Sequence, residues 1–195
     1  LKNIKKLREN SSADRIRNTA NYPYLFCQDR QPDTDYLVFP QHTTSNRKYI
    51  PIGFMEKDII VGNACYMIPN ISIFEFGVLT SNVHMAWTSI VCGRLGEGYR
   101  YSPAIYNNFP WPNPTDKQKE NINKTAQAIL DARSKYPNSS LADLYDELTM
   151  PVELRTAHQK NDIAVMEAYG FDWRSMTESD CVAELMKMYQ ELISK

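Results

Sequence analysis

Short apolar runs separated by turn-forming residues dominate the first 112 residues, a pattern typical of β-strands. The segment from Ile71 to about Cys92 differs, because apolar side chains fill a helical length that Gly77 or the Thr80-Ser81 pair could divide into two helices. Ala104–Asn108 is predicted to be extended. The runs predicted as strands are Tyr24–Cys27, Asp35–Phe39, Tyr49–Phe54, Ile59–Val61, Cys65–Ile68 and Tyr99–Ser102. This half of the chain is therefore predicted to mix helices and strands.

Helical periodicity begins at Thr115 and continues to the end of the chain. Thr115-Asp116-Lys117-Gln118 has the composition of a capping box, in which the Gln118 side chain reaches back to the N-cap backbone. The other helix signals are the face Ile122, Ala126, Ile129 and Leu130, the run Leu141–Leu148, the opening at Thr149 and Pro151, the terminator Gly170 and the cap Thr177. Four helices with short connections predict a small bundle.

A proline-rich strap separates these two halves. Three prolines fall within five residues of Asn108-Phe109-Pro110-Trp111-Pro112-Asn113-Pro114, which forces an extended backbone. We predict that its aromatic side chains fix the strap as part of the structure rather than stack on a base. We accordingly predict an α+β fold, with a mixed sheet and packed helices in residues 1–112 and a small C-terminal helical bundle in residues 113–195.

The composition is that of a globular protein, with 43% hydrophobic and 23% charged residues among 195. No apolar run approaches the roughly 18 residues that a membrane span needs. The cysteines Cys27, Cys65, Cys92 and Cys181 lie far apart in the sequence. Free thiols in a reducing cytoplasm are therefore expected. Because the chain does not begin with Met, we expect a piece of a longer polypeptide.

The net charge of −1 conceals an uneven distribution of charge. Residues 1–112 carry 12 Lys and Arg against nine Asp and Glu, whereas residues 113–195 carry 10 against 14. The first half is therefore +3 and the second half −4. This difference favours contact between the first half and a polyanion, although a charge of +3 is by itself equally compatible with chance.

The motifs of several enzyme classes are missing from the sequence. Gly93-Arg94-Leu95-Gly96-Glu97-Gly98 has glycine spacings of three and two and follows a helix-like segment, so it does not fit a dinucleotide-binding loop. Asn113-Pro114-Thr115-Asp116 lacks the second proline and the aromatic residue with which DNA methyltransferases hold a flipped base. The histidines have no metal-ligand spacing, and no nucleophile-elbow motif is present. We therefore predict no catalytic residue, metal or cofactor in this chain.

Two segments concentrate side chains of the kind that contact nucleic acids. The polar loop from Gln41 to Tyr49 supplies hydroxyls, amides and two cations that suit phosphates, although a solvated hairpin loop has a similar composition. The second segment runs from Arg94 to Ser102. Within it, arginine can bond guanine bidentately and a carboxylate can accept from the cytosine amino group.

Alternation along the second segment predicts its two faces. It places Tyr99 and Tyr101 on one face, and Arg100 and Ser102 on the other. The neighbouring glycines allow a close approach of the backbone to a groove. Either arginine could instead form a structural ion pair.

Several co-linear motifs resemble the target-recognition domain of MmeI-like (type IIL/IIG) restriction–modification enzymes. They include Tyr36-Leu37-Val38-Phe39-Pro40, the stretch from Ser45 to Phe54, Phe76-Gly77-Val78-Leu79-Thr80-Ser81, His84-Met85-Ala86-Trp87 and Cys92-Gly93-Arg94-Leu95. The match is closest at Tyr99-Arg100-Tyr101-Ser102 and Tyr106-Asn107-Asn108-Phe109-Pro110-Trp111-Pro112. Met150-Pro151, Ala157-His158 and Ala168-Tyr169-Gly170 resemble the C-terminal helical region of the same family.

This resemblance implies a function. In that family one polypeptide combines a nuclease, absent from some members, with an adenine-specific methyltransferase that uses S-adenosylmethionine and with this recognition module. The implied partners are double-stranded DNA and the methyltransferase domain of the same polypeptide, with S-adenosylmethionine bound by the parent enzyme. The base-contact candidates are Arg94, Gly96, Glu97, Gly98, Arg100 and Ser102. The backbone-contact candidates are Lys5, Lys6, Arg8, Arg15, Arg17, Thr43, Thr44, Ser45, Arg47, Lys48 and Tyr101.

Two alternative hypotheses belong to other functional classes. The first is an interaction scaffold, in which the helical bundle and the aromatic strap bind a protein partner. The second is a hydrolase of unknown type, against which the missing motifs count.

Overall fold

The structure is a computed structural model that describes residues 1–28 and 30–194. It divides into two compact units, Leu1–Asp33 and Thr34–Lys195. Within the described residues, no helix has both the length and the apolar character that a bilayer crossing requires.

The first unit contains two short helices, α1 (Lys2–Glu9) and α2 (Asp14–Arg17). The guanidinium of Arg8 ties the unit together, because it donates to the carbonyls of Thr19, Tyr22 and Leu25 at 3.1, 2.8 and 2.6 Å. The predicted strand Tyr24–Cys27 is wrong. These residues form turns, and the carbonyl of Leu25 bonds a side chain instead of a neighbouring strand.

Two three-stranded antiparallel sheets form the β part of the second unit. The first sheet has the order β3-β1-β4 and the second has the order β2-β6-β5. The strands are β1 (Tyr36–Pro40), β2 (His42–Thr43), β3 (Gly53–Met55), β4 (Cys65–Pro69), β5 (Gly93–Leu95) and β6 (Gly98–Arg100). Of the predicted strand Tyr49–Phe54, only Gly53 and Phe54 therefore lie in a strand, which is β3.

The predicted strand Ile59–Val61 is also wrong, because this segment is irregular. Strand β1 already has β3 on one side and β4 on the other, so neither edge of β1 is open to a further strand. The hydroxyl of Tyr36 donates to the carbonyl of Ile59, which ties the segment to the sheet through a side chain instead.

The remaining regular elements of the second unit are helices. They are α3 (Ile73–Leu79), α4 (Asn82–Val91), α5 (Pro103–Asn107), α6 (Asp116–Ser134), α7 (Leu141–Leu144), α8 (Val152–Tyr169) and α9 (Glu178–Ile193). The long apolar segment divides at Thr80-Ser81, where the Ser81 hydroxyl accepts from the backbone N–H of His84 and caps α4. The extended conformation predicted for Ala104–Asn108 is wrong, because Pro103 occupies the first turn of α5, where a missing N–H costs nothing.

The α+β fold class and the C-terminal helical region are confirmed. The capping box at Thr115 and Gln118 opens α6, Gly170 ends α8 with a φ of 74°, and Thr177 caps α9. Leu37, Ile122 and Leu185 belong to one continuous core of the second unit, which therefore includes residues on both sides of the strap. The domain boundary at residue 112 stays a prediction.

Two buried histidines bond tyrosine hydroxyls within this core. His84 Nε2 lies 2.9 Å from the hydroxyl of Tyr101, and His158 Nε2 lies 2.7 Å from that of Tyr145. Burial lowers the pKa of His84 to about 3 and lowers the pKa of His158 well below its usual value. Both rings are therefore neutral structural groups.

These histidines make stability depend on pH. In the unfolded chain each takes up a proton near its ordinary pKa of about 6.5, so the unfolded state binds more protons below that pH. The stability that the neutral rings contribute above pH 6.5 is therefore lost as the pH falls. Asp162 has the opposite effect on the pH dependence of stability. Burial raises its pKa to about 6, so below that pH the folded state binds more protons at this residue than the unfolded state does.

We expect His84→Gln to flatten the pH dependence of stability. Removing one histidine that titrates only when unfolded should reduce the slope of the unfolding free energy by about 1.4 kcal/mol per pH unit between pH 6 and 4. Urea unfolding at several pH values measures this slope. His42→Gln is the control, because His42 is exposed. An unchanged slope in His84→Gln would contradict the assignment of His84 as a neutral buried ring.

Candidate nucleic-acid interface

Strands β5 and β6 form a hairpin that carries all the predicted base-contact candidates except Ser102, which follows β6. Leu95 pairs with Gly98, so Gly96 and Glu97 alone make the turn. Gly96 has a φ of 57°, the positive value that a two-residue hairpin turn needs at its first central position. Such a short turn fixes the register of the two strands.

The two faces of the hairpin follow the predicted alternation. Directly opposed residues of an antiparallel pair share a face, so Arg94 lies with Tyr99 and Gly93 lies with Arg100. Tyr99 is buried and Arg100 is exposed. The guanidinium of Arg94 covers the Tyr99 ring at 4.4 Å from its centroid while the residue remains exposed. Arg94, Glu97 and Arg100 therefore all lie on the surface.

Tyr101 requires a correction, since it was a candidate for contact with the DNA backbone. Only 3% of the residue is exposed, its hydroxyl bonds His84, and its ring lies 4.1 Å from that of Phe39. The alternation that placed Tyr101 beside Tyr99 already indicated a position in the core. We withdraw Tyr101 as a contact residue.

Packing between β6 and β2 requires a glycine at position 98. A Cβ at this position would lie 2.7 Å from the carbonyl oxygen of Thr43, so only glycine lets β6 lie this close to β2. A Cβ at Gly96 would meet nothing within 4 Å, and there the positive φ explains the glycine. The structure of the protein therefore explains both glycines without a close approach to a DNA groove.

The polar loop and the hairpin border a common cavity of about 370 Å³, which we call the hairpin cleft. Its lining residues are His42, Thr43, Thr44, Ser45, Asn46, Arg47, Leu95, Glu97, Gly98 and Tyr99. The structure thus brings together the two segments that the sequence singled out separately. Strand β2 lies within the polar loop and joins it to β6, an arrangement that the sequence analysis missed.

The remaining loop candidates differ in how free their side chains are. Thr43 is 6% exposed, so it faces the core and we withdraw it as a contact. Thr44 and Ser45 are exposed. Arg47 is half-buried, with a guanidinium nitrogen 3.5 Å from the carbonyl of Ala142. Lys48 is 65% exposed and lies 3.9 Å from Glu147, a distance at which an exposed pair contributes little.

The basic candidates of the first unit are partly engaged within that unit. Arg8 holds the three carbonyls described above, and Arg17 pairs with Asp14. Lys5 lies 3.8 Å from Glu9. Lys6 and Arg15 are exposed. Arg8 and Arg17 therefore have a structural role that the charge count did not indicate.

Sequence reasoning missed Asp162, which fixes the end of the polar loop. Its carboxylate accepts from the hydroxyl of Tyr49 at 2.7 Å and from the backbone N–H of Asn82 at 2.9 Å. The Tyr49 ring also stacks on His158, with centroids 4.0 Å apart. A carboxylate 113 residues away from Tyr49 gives no local signal in the sequence.

The aromatic strap is part of the core. Phe109 is 2% exposed and packs against His84 and Trp111, with ring centroids 4.9 and 5.4 Å away. The hydroxyl of Tyr169 donates to the carbonyl of Pro110 at 2.8 Å. The prediction of a structural strap is confirmed. Within residues 1–28 and 30–194, no three His, Cys, Asp or Glu side chains are grouped as a metal site would require.

Two family models match contiguous parts of the chain. Residues 1–113 match the model described as MmeI, target recognition domain, and residues 114–195 match that described as MmeI, C-terminal domain. The chain belongs to the MmeI family. The resemblance that the co-linear motifs carried is therefore confirmed.

The chain is also similar to individual proteins. The chain is 38% identical over 192 residues to DNA methyltransferase A of Bacillus subtilis (strain 168), covering 96% of this chain and 21% of that protein. It is 47% identical to the Type IIL restriction-modification enzyme MmeI, solved in complex with DNA, with a TM-score of 0.90 over 100% of this chain and 26% of that one. The chain thus spans about a fifth to a quarter of the length of these relatives.

Proposed function

We propose that this chain recognises a specific sequence in double-stranded DNA, as the target-recognition module of an adenine-N6-specific DNA methyltransferase or restriction–modification enzyme. The chain chooses the site and holds the duplex, while the chemistry takes place in the methyltransferase domain of the same polypeptide. S-adenosylmethionine binds to that domain and not to this chain. A cytoplasmic location belongs to the same proposal.

One observation carries this proposal: Arg94, Glu97 and Arg100 are all exposed on one short hairpin beside a polar loop. A two-stranded β-ribbon fits the major groove of B-form DNA, where arginine and carboxylate side chains can distinguish base pairs. Had these three side chains been locked in the core, the hypothesis would have failed. The similarity to MmeI, a structure of which contains DNA, supports the same function.

The candidates divide into two classes of contact. Side chains on the hairpin are proposed to read bases, and those on the polar loop and the first unit to bind phosphates. The base-contact set is Arg94, Gly96, Glu97, Gly98, Arg100 and Ser102, in which the glycines can contribute only backbone groups. The backbone-contact set is Thr44, Ser45, Arg47, Lys48, Lys5, Lys6 and Arg15, with Arg8 and Arg17 supporting the first unit.

Burial of most of the strap counts against the scaffold hypothesis, although Trp111 is half-buried. That hypothesis required an exposed aromatic strap, whereas Phe109, Pro110 and Pro112 are buried. We therefore propose no second function.

Salt dependence tests the phosphate contacts. We expect Lys48→Ala to weaken binding of the full-length protein to all duplexes about equally and to reduce the slope of log affinity against log salt concentration by about 1, because one phosphate contact is lost. Fluorescence anisotropy with a labelled duplex at several salt concentrations measures both quantities.

Lys117→Ala is the matched control, because Lys117 is exposed on α6 and belongs to neither the polar loop nor the hairpin. An equal loss of slope in both variants would remove Lys48 from the interface. Failure of the wild-type protein to bind any duplex at low salt, with a salt-insensitive association to a protein partner instead, would overturn the proposed function.

A further inference from the structure

We propose that Leu95 reads a thymine, through contact between its side chain and the C5-methyl group in the major groove. This inference rests on the proposed function and deepens it by naming a base and the residue that selects it. The register of the hairpin, the exposure of Leu95 and the residues around it support this inference.

The register of the hairpin places Leu95 on its outward face. Because Gly93 and Leu95 lie two residues apart on β5, they share a face, and Arg100 lies opposite Gly93. His42 on β2 in turn lies opposite Arg100. Leu95 therefore points to the same side as two exposed polar side chains, away from buried Tyr99.

The protein itself covers Leu95 only in part. Leu95 is 58% exposed, and its cross-strand partner Gly98 has no side chain to cover it. The close approach of Gly98 to Thr43 requires a glycine at this position, so no side chain of β6 can lie opposite Leu95. The short turn at Gly96 and Glu97 presents Leu95 at the tip of the hairpin.

The surrounding surface indicates what Leu95 contacts. Among the described residues that line the hairpin cleft, Leu95 is the one aliphatic side chain; it lies near the Tyr99 ring and near polar groups such as Thr44, Asn46 and Glu97. In the major groove, the thymine methyl is the apolar group that a base pair presents among hydrogen-bonding groups. An aliphatic side chain beside Arg100 and Glu97 matches that pattern of groups.

The experiment uses the full-length wild-type protein and duplexes that it selects from a randomised pool. Each thymine of either strand is then replaced singly by deoxyuridine, which removes only the methyl group. At one position the replacement should weaken binding about fourfold, the effect expected for loss of one buried methyl-sized group. The absence of a methyl effect at every thymine of both strands would overturn the proposal.

The variant Leu95→Ala identifies the residue responsible. It should bind the thymine and deoxyuridine duplexes equally, whereas Ile90→Ala should keep the fourfold difference, since Ile90 is similarly exposed at 55% but lies on α4 outside the hairpin cleft. Leu95→Ala could instead weaken binding to both duplexes equally and keep the fourfold difference between them. That result would indicate that Leu95 is an apolar wedge between base steps and would overturn thymine reading. These results leave DNA recognition itself standing. Absence of binding to any duplex would instead refute the proposed function.

Discussion

Replacing Gly77 by alanine should lower the free energy of unfolding by about 3 kcal/mol. The added Cβ would lie 2.8 Å from Cγ2 of Ile122 and 3.0 Å from Cβ of Ala126, both on α6, and 3.2 Å from Oδ1 of Asn161 on α8. The first distance is shorter than any normal contact, so α3 must move away from α6. That movement also stretches the 2.8 Å hydrogen bond from the Asn161 side chain to the Gly77 carbonyl, a buried bond.

The gain in helix propensity is too small to compensate. Alanine is favoured over glycine in a helix by about 1 kcal/mol, whereas overpacking costs up to about 3 kcal/mol and a disrupted buried hydrogen bond adds to that loss. Urea unfolding followed by circular dichroism measures the change. Gly62→Ala is the matched control, because a Cβ there meets nothing within 4 Å. A Gly77→Ala midpoint equal to that of the control would mean that α3 and α6 are not in close contact.

The helices of the C-terminal half could be predicted because their signals are local. Thr115 with Gln118 and Thr177 with Asp180 form capping boxes within four residues, and Gly170 supplies the positive φ that ends α8. Each of these features is decided by neighbours in the sequence. The positions of these helix ends therefore follow from the sequence with little tertiary information.

The strands were predicted less well because a strand depends on a partner that the sequence does not specify. Tyr24–Cys27 and Ile59–Val61 have the apolar composition of strands. In the structure, however, the carbonyl of Leu25 accepts from the Arg8 side chain, and the carbonyl of Ile59 accepts from the Tyr36 hydroxyl. Composition describes what could pair, whereas pairing itself is a tertiary property.

In the candidate site, too, local features could be predicted from the sequence and contacts between distant segments could not. Alternation along the hairpin correctly predicted that Tyr99 is buried and Arg100 exposed, since that pattern has a period of two residues. It gave no sign of Asp162, which lies on α8 and holds the polar loop through Tyr49. Nor did it show that Gly98 serves the contact with Thr43. Contacts between distant segments required the structure.

Replacing Arg100 by alanine should weaken binding to the preferred duplex about 5- to 150-fold, a loss of about 1–3 kcal/mol, and should relax the choice of base at one position of the site. Arg100 is exposed on the outward face of the hairpin, where its guanidinium can donate two parallel hydrogen bonds to one guanine. The substitution removes those bonds and leaves phosphate contacts intact. Affinity for unrelated duplexes should therefore change little.

Competition binding with the preferred duplex and with variants of each base pair measures both effects. Arg100→Lys should not restore discrimination, because an ammonium group lacks the planar pair of donors that guanine recognition uses. Arg174→Ala is the control, since Arg174 is exposed beside Trp173 and belongs to neither the hairpin nor the polar loop. If Arg100→Ala weakened all duplexes equally and made the salt dependence shallower, Arg100 would be a phosphate contact. The specificity of the hairpin would then have to come from Arg94, Glu97 and the backbone of the turn.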